Sequence, residues 1–368
     1  MGTIMMSMSG EGRGHATRAH TLTEALKQDH HILLYTFGDA LEFLSRIYAD
    51  DDRVEVVGID GLIFHYVNNK LNLSKSIYEG LKFYFSGRLQ KQIQFLCDEI
   101  QTRQPDVLIT DFEPILPRAA TRCHVPYLSL THQHFMVAYD LSSLPWKLRW
   151  HARSMAIAVY LHYSRQVETM IASFFRPKLN DRWKQAISLG AIIRPELHEL
   201  NPQQGDYLLS YLRKHTTEQT IETLCQSPIP IKIYGVGELE PVGNATFHAI
   251  DPETFIHDLA GSKAVVSAAG NQLLGECLFL GKPVLAIPES NHHEQLINSH
   301  FLRKMKCGDF VTIDQFQLSD LQNFLNHLPE YQQQIAETCQ DIDGTQKAID
   351  VVNRYASQAS AHRTEETT

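Results

Sequence analysis

The chain has 368 residues, 43% of them hydrophobic and 20% charged, with a net charge of -9. A single core rarely grows that large, so two domains are expected. The acidic surplus excludes a general nucleic-acid binder, which carries a basic one, so no nucleic-acid partner is expected.

The N-terminal "TIMMSMS" is an apolar run with no basic flank and no cleavage-like site. It reads as a buried first strand and not as a signal peptide. "ATRAHTLTEALKQ" sets Ala16, Ala19, Leu22 and Leu26 near helical spacing. "HHILLYTF" and "RVEVVGI" read as the next strands, and "PDVLITDF" and "VPYLSLTH" as two more. Residues 68–99 form a long, aromatic and basic stretch, and 145–177 read as mostly helical. The longest apolar run in the middle, 155–161, is too short to span a bilayer.

The polar "ELHELNPQQGD" reads as a linker near 196–205. Alternation then restarts with "DYLLSYL", "IPIKIYG", "ATFHAI", "KAVVSAAG" and "KPVLAIP" as strands. Strands alternating with helices imply parallel sheets covered by helices on both faces. The expected architecture is α/β. Two Rossmann-like domains, 1–195 and 196–342, face each other, with ligands at the strand carboxyl ends in the cleft between them. A helix over 343–356 is expected to pack back on the first domain, and 357–368 reads as a disordered polar tail. The six cysteines form no C-x-x-C pair and read as reduced thiols of a cytoplasmic protein.

The loop "SGEGRGH", residues 9–15, follows a strand and opens a helix, a context suited to binding an anion. Gly10, Gly12 and Gly14 give G-x-G-x-G, not the dinucleotide fingerprint, and no G-K-[ST] closes the loop. One reading is a tight turn with a histidine near the cap. In the other, His15 stands at the mouth of the cleft and takes a proton from an attacking hydroxyl, since its unperturbed pKa is close to working pH. Such a base needs an orienting carboxylate, and Asp111 at the end of "DVLITD" is the candidate. Asp111 reads equally as the N-cap of the helix after Pro114.

In the second half, "SAAGNQLLGECLFLGKPVLAIP" ends a strand near Gly270 and starts a helix near Asn271. Gly270 admits close approach of a ligand to the backbone. The first amides of the helix are unpaired, so a diphosphate fits there. Gln272 and Glu276 share a helix face, and the carboxylate is suited to a ribose diol; a solvated helix glutamate is the alternative. Glu294 and Gln295, after "PVLAIPESNHH", pair an acid with an amide and suit sugar hydroxyls. His292 and His293 point opposite ways on extended backbone, and the run Asp50–Asp52 reads as solvated charge, so no metal site is expected.

These stretches resemble a family. "SGEGRGHATRAHTLTEAL" looks like the N-terminal loop of GT-B glycosyltransferases, and "SLGAIIRPEL" with the run from Phe247 to Leu302 resembles their donor-binding half. Within that fold the chain is most similar to the group around the bacterial peptidoglycan N-acetylglucosaminyl transferase, family 28. The resemblance implies His15 as the base and Asp111 as its orienting partner. It puts Gly12, Arg13 and Gly14 on the acceptor side, Arg194 on donor phosphate, and the backbone at Ile250 on the uracil. It also implies Gly270, Asn271 and Gln272 at the diphosphate, Glu276 at the ribose and Glu294–Gln295 at the sugar. Ser210 stands where the family has a glycine-rich loop and is the polar contact there. Ala269 replaces one of two glycines usual before the helix.

The expected function is inverting, metal-independent transfer from a nucleotide diphosphate sugar, a UDP-sugar by resemblance, with no further cofactor. The acceptor is a hydroxyl compound, lipid-linked or glycan. The basic aromatic stretches Lys70–Lys91 and Trp146–Arg176 read either as core helices with a solvated basic face or as a patch for peripheral contact with anionic lipid on the inner membrane face. A nucleotide-sugar 2-epimerase and a non-catalytic nucleotide-sugar binder use the same fold and are the rival readings.

Overall fold

The computed structural model describes residues 2–11, 13–61, 66–67, 70–71, 78, 80, 82–83, 86–163, 165–213 and 216–366. The chain divides into two compact units. The first comprises Met1–Leu141, Arg153–Ile192 and Gly344–Thr368, and the second Ser142–Ala152 and Ile193–Asp343. The stretch 142–152 therefore joins the second unit, although it lies inside the range read as the first domain.

The first unit is built on seven strands. They are β1 (Gly2–Met8), β2 (His30–Thr36), β3 (Val54–Gly58), β6 (Val107–Asp111), β7 (Tyr127–Thr131), β8 (Glu168–Ala172) and β9 (Ile187–Gly190). Two-residue strands β4 (Tyr66–Val67) and β5 (Lys70–Leu71) form a separate antiparallel pair. The seven run β3-β2-β1-β6-β7-β8-β9, and every pairing is parallel. β1 is buried from Ile4 through Met8, which is why it reads as a continuous apolar run with no alternation. β8 lies inside the stretch read as helical. Its five residues, buried from Thr169 onward, carry no alternation that separates strand from helix.

Ile4, Met6 and Ile109 from the sheet meet Ala16, Ala19 and Leu22 from the first helix, Arg13–Leu26. Ala348, Val351, Val352 and Ala356 of the last helix, Thr345–Glu366, join the same core. Each large aliphatic side chain buried there contributes about 1.5–3 kcal/mol. The helix entry is pinned at Gly344, whose N–H donates to Ala191 O at 2.8 Å. A Cβ at Gly344 would lie 2.7 Å from Leu189 backbone. Helical backbone continues to Glu366, through residues whose polar composition suggested disorder. Among the described side chains, Ala356 is the last core residue of this helix.

The second unit has six strands, β10 (Leu208–Tyr211), β11 (Ile231–Tyr234), β12 (Ala245–His248), β13 (Ala264–Ser267), β14 (Val284–Ala286) and β15 (Gly308–Phe310). Their order is β12-β11-β10-β13-β14-β15, again all parallel. Leu208, Ile231, Ile233, Val266 and Leu285 pack on Leu321 and Phe324 from the helix Leu318–Asn326. The stretch read as a linker is anchored within this unit. Gln203 N–H donates to Ala260 O at 3.0 Å and Gly205 N–H to Gly261 O at 3.1 Å. The ammonium of buried Lys282 donates to Ser262 O at 2.7 Å.

In each sheet the strand order reverses once, between β1 and β6 in the first unit and between β10 and β13 in the second. The loops leaving those neighbouring strands diverge, which opens a crevice at their carboxyl ends.

Candidate active site

In the first unit the crevice is bounded by the loop after β1 and the end of β6. Met8 pairs with Asp111, and Ser9 N–H donates to Asp111 O at 2.9 Å. Gly10 is required by packing, because a Cβ there would sit 2.0 Å from Phe37 O. Gly12, expected on the acceptor side, lies outside the described residues. Arg13 and Gly14 open the first helix. The Arg13 guanidinium lies over the Phe43 ring, 6.0 Å from its centroid.

His15, in the first turn of that helix, meets Asp111: Nδ1 is 3.0 Å from Oδ1. A third residue completes the group. Arg18, one turn further on, donates from Nε to Asp111 Oδ2 at 2.8 Å. Its Nη2 stands 2.7 Å from the same oxygen and 3.0 Å from His15 Nδ1. Burial pushes the Asp111 carboxyl up, but the Arg18 and His15 charges outweigh it and hold it below the ordinary range. The sequence reading missed Arg18. Its signal was the spacing: three residues after His15, it falls on the buried helix face.

The two neighbours ask opposite things of His15 Nδ1. With a proton on Nδ1 directed at Asp111, Nε2 keeps a lone pair and is basic. With Nδ1 accepting from Arg18, the proton moves to Nε2 and the ring is a donor. A base role therefore needs Asp111 to prevail.

The cap alternative for Asp111 is overturned. Buried Glu113 takes that role, accepting from Ile115 N–H at 2.6 Å and Leu116 N–H at 2.9 Å at the start of the helix Ile115–Arg122. Burial raises the Glu113 carboxyl to about 7 against the lowering effect of those amides. Between the two acids, Phe112 holds φ 53, a left-handed conformation that costs a non-glycine residue about 1–3 kcal/mol. Its N–H donates to Tyr163 OH. Its ring lies nearly parallel to His15, 9° between planes and 6.4 Å between centroids. Behind it, His134 sits 4.6 Å from Tyr163 and 5.6 Å from Trp183, ring to ring. Burial lowers its pKa to about 3, so it is neutral.

In the second unit the helix Asn271–Phe279 starts at the carboxyl end of β13. Gly270 has ordinary backbone angles, φ -72 and ψ 131, and open space where a Cβ would lie. Nothing in the unit's own packing requires glycine there. Asn298, fully buried on the helix His293–Lys304, donates to Ala269 O at 2.9 Å and fixes the loop. Ala269 is itself buried in the position where a second glycine was the family pattern.

Glu276 is fully buried, which rules out the solvated alternative. Arg194 grips it with two parallel bonds, Nε to Oε1 at 2.9 Å and Nη2 to Oε2 at 2.7 Å. Gln272 Nε2 adds a third, to Oε1 at 2.9 Å. Burial lowers the Arg194 pKa, but the Glu276 charge outweighs it and the net shift is upward. Arg194 and Glu276, given separate phosphate and ribose roles from sequence, are thus partners.

Ser210 Oγ, on β10 beside the crevice, is buried with no hydrogen-bond partner among the described residues. Ile250 is half-buried in the loop after β12. Gln295 is buried and its Oε1 accepts from Glu289 N–H at 3.0 Å, so the amide ties down the loop after β14. Glu294 lies beside it in the first turn of that helix, half-buried. His292 caps the helix, its Nδ1 3.4 Å from Gln295 N, while His293 stacks on His151 with centroids 3.6 Å apart. Among the described residues, no three His, Cys, Asp or Glu side chains are grouped to hold a metal ion. No helix among them is long and apolar enough to cross a membrane.

Two Rossmann-like parallel sheets, each with its candidate groups at the switch point, define the GT-B glycosyltransferase fold. The solved structures agree. The glycotransferase of kitacinnamycin is 14% identical over 96% of this chain and 99% of that one, with a TM-score of 0.65. CalG4, the calicheamicin glycosyltransferase, is 16% identical over 97% and 99%, also at 0.65. MurG of Acinetobacter baumannii is 14% identical over 96% and 100%, at 0.63. No curated protein sequence is significantly similar to the chain. The family model described as glycosyl transferase family 1 matches residues 2–329, and the chain belongs to that family.

Proposed function

We propose that the protein transfers a sugar from a nucleoside diphosphate sugar to an acceptor hydroxyl, with inversion at the anomeric carbon and His15 as the base. The observation that carries this reading is the His15 Nδ1 to Asp111 Oδ1 approach of 3.0 Å at the switch point of the first sheet. With Asp111 holding the Nδ1 proton, Nε2 takes the proton of the acceptor hydroxyl. The acceptor oxygen bonds to the anomeric carbon as the bond to the donor diphosphate breaks, through an oxocarbenium-like state.

The leaving diphosphate gains negative charge. The N-terminus of the helix Asn271–Phe279, the positive end of its dipole, is assigned to that charge. On this account no divalent ion is needed. Arg194, committed to Glu276, orients the ribose-binding carboxylate instead of reaching phosphate directly. A uridine donor is favoured because the structural relative from Medicago truncatula, UGT71G1, was solved with UDP-glucose. The nearness to family 28 rests on the "SGEGRGH" and "GNQLLGE" stretches.

The test is incubation of donor with and without acceptors, in excess chelator, with product configuration read by NMR. Free nucleoside diphosphate and an inverted glycoside support the proposal. An isomerised sugar nucleotide formed from donor alone would make the protein an epimerase. Activity lost in chelator and restored by a divalent ion would remove the metal-free account.

A further inference from the structure

Cys307 and Cys339 stand 32 residues apart in the chain, yet in the second unit their Sγ atoms are 3.7 Å apart. Cys307 is fully buried and Cys339 keeps 7% of its surface exposed. No step of the proposed transfer uses either thiol, and no short cysteine motif announces the pair.

Each thiol is held at the carboxyl end of a helix. The helix His293–Lys304 closes in a turn where Lys306 N–H donates to Arg303 O at 3.0 Å and Cys307 N–H to Leu302 O at 3.3 Å. Lys306 takes the left-handed conformation that such a turn needs, φ 57. Cys339 ends the helix Leu328–Thr338, its N–H donating to Ile335 O at 2.9 Å. The Thr338 hydroxyl lies 3.7 Å from each sulfur. Its own proton goes to Gln334 O at 2.7 Å, so toward the sulfurs it is an acceptor. Cys307 Sγ also approaches Met305 O at 3.5 Å. These surroundings favour thiol over thiolate: the Cys339 contact and burial both push the Cys307 thiol up.

The geometry points to an oxidative cross-link between Cys307 and Cys339, made by exchange with a small-molecule disulfide. Cys339, the more exposed, attacks one sulfur of the oxidant and one small thiol leaves. Cys307 then attacks Cys339 Sγ and the second small thiol leaves. The two protein thiols lose two electrons and two protons to one S–S bond, and the oxidant's S–S bond becomes two thiols that carry those protons away. The new bond is about 2.0 Å long, so the sulfurs must approach by roughly 1.7 Å, which side-chain rotation supplies. The loop it closes carries β15, the edge strand of the second sheet, and the core helix Leu318–Asn326. Closing it restricts the unfolded chain, so the oxidised protein is the more stable form. Under a reducing glutathione poise the pair stays as thiols, and it closes when the poise turns oxidising. The cross-link is read without turnover, so it stands or falls apart from the proposed transfer.

The experiment is incubation of the folded full chain with hydroxyethyl disulfide, then alkylation in denaturant and mass spectrometry of the unreduced digest. A linked peptide pair holding Cys307 and Cys339, short of two hydrogens, is expected. Its rate of formation should rise with pH, because thiolate is the attacking form. The oxidised protein should melt about 5–10 °C higher than the protein in dithiothreitol. Cys307→Ala and Cys339→Ala should each abolish that rise. The inference is overturned if both thiols are alkylated after oxidation, or if Cys339 stops at the mixed disulfide. It is equally overturned if the bond forms only in denaturant, or if the rise in Tm persists in Cys339→Ala. A link between Cys97 and Cys123, neighbours in the first unit, without one between Cys307 and Cys339 also contradicts it.

Discussion

Arg18 Nε donates to Asp111 Oδ2 at 2.8 Å, and both side chains are buried at the switch point of the first sheet. His15 shares this pair, its Nδ1 3.0 Å from each partner. The pair has two consequences. It keeps Asp111 ionised in a buried place, and it makes the tautomer of His15 a contest between an acceptor and a donor.

Breaking the pair from one side leaves an uncompensated buried charge. Arg18→Met and Asp111→Leu are each expected to destabilise the protein by about 3–5 kcal/mol. The double variant should cost much less than the sum, since no charge is left unpaired. Urea denaturation of the four proteins measures the coupling. Additive losses would show that the two residues act separately.

Arg194 holds Glu276 bidentately, a geometry that an ammonium does not reproduce. Arg194→Lys is therefore expected to weaken nucleoside diphosphate binding about tenfold, a loss of about 1.4 kcal/mol. Glu276→Gln should weaken ribonucleotides more than 2′-deoxyribonucleotides, because the carboxylate is assigned to the diol. Titration calorimetry with the two nucleotide types checks both. Equal losses for the two types would take Glu276 away from the ribose.

Glu113 titrates near 7 in the folded protein against an ordinary 4.5. Between those values the native state keeps a proton that the unfolded chain has lost. Its contribution to stability is complete below about pH 4.5 and falls as pH rises to about 7, by an order of 3 kcal/mol in total. Glu113→Gln cannot titrate, so the stability difference between variant and wild type should move in the variant's favour from pH 5 to pH 7.5. A difference independent of pH would show that Glu113 is ionised throughout.

Much of this was legible in the sequence, for identifiable reasons. The central strands announce themselves because burial on both faces demands runs such as "IMMSM" and "VLIT". His15 and Asp111 could be paired because both sit at carboxyl ends of strands that a Rossmann-like order makes neighbours. Strand β8 is buried from Thr169 onward and shows no alternation that separates it from the helical stretch it lies in. Phe112 gives no local sign of its left-handed backbone, and the Tyr163 hydroxyl that its N–H meets lies 51 residues away. The Arg194–Glu276 pair spans 82 residues, and each residue taken alone fits a ligand role better than a partner.

The central claim is that His15 moves a proton in the transfer step, and His15→Ala tests it most directly. Single-turnover transfer and donor affinity should be measured on the same preparation, with Asp111→Asn alongside. The account predicts transfer reduced by about 10²–10⁴-fold at saturating donor, with the donor Kd within about twofold of wild type. Transfer near the wild-type rate with donor binding weakened tenfold would make His15 a ligand contact and leave the reaction without its base.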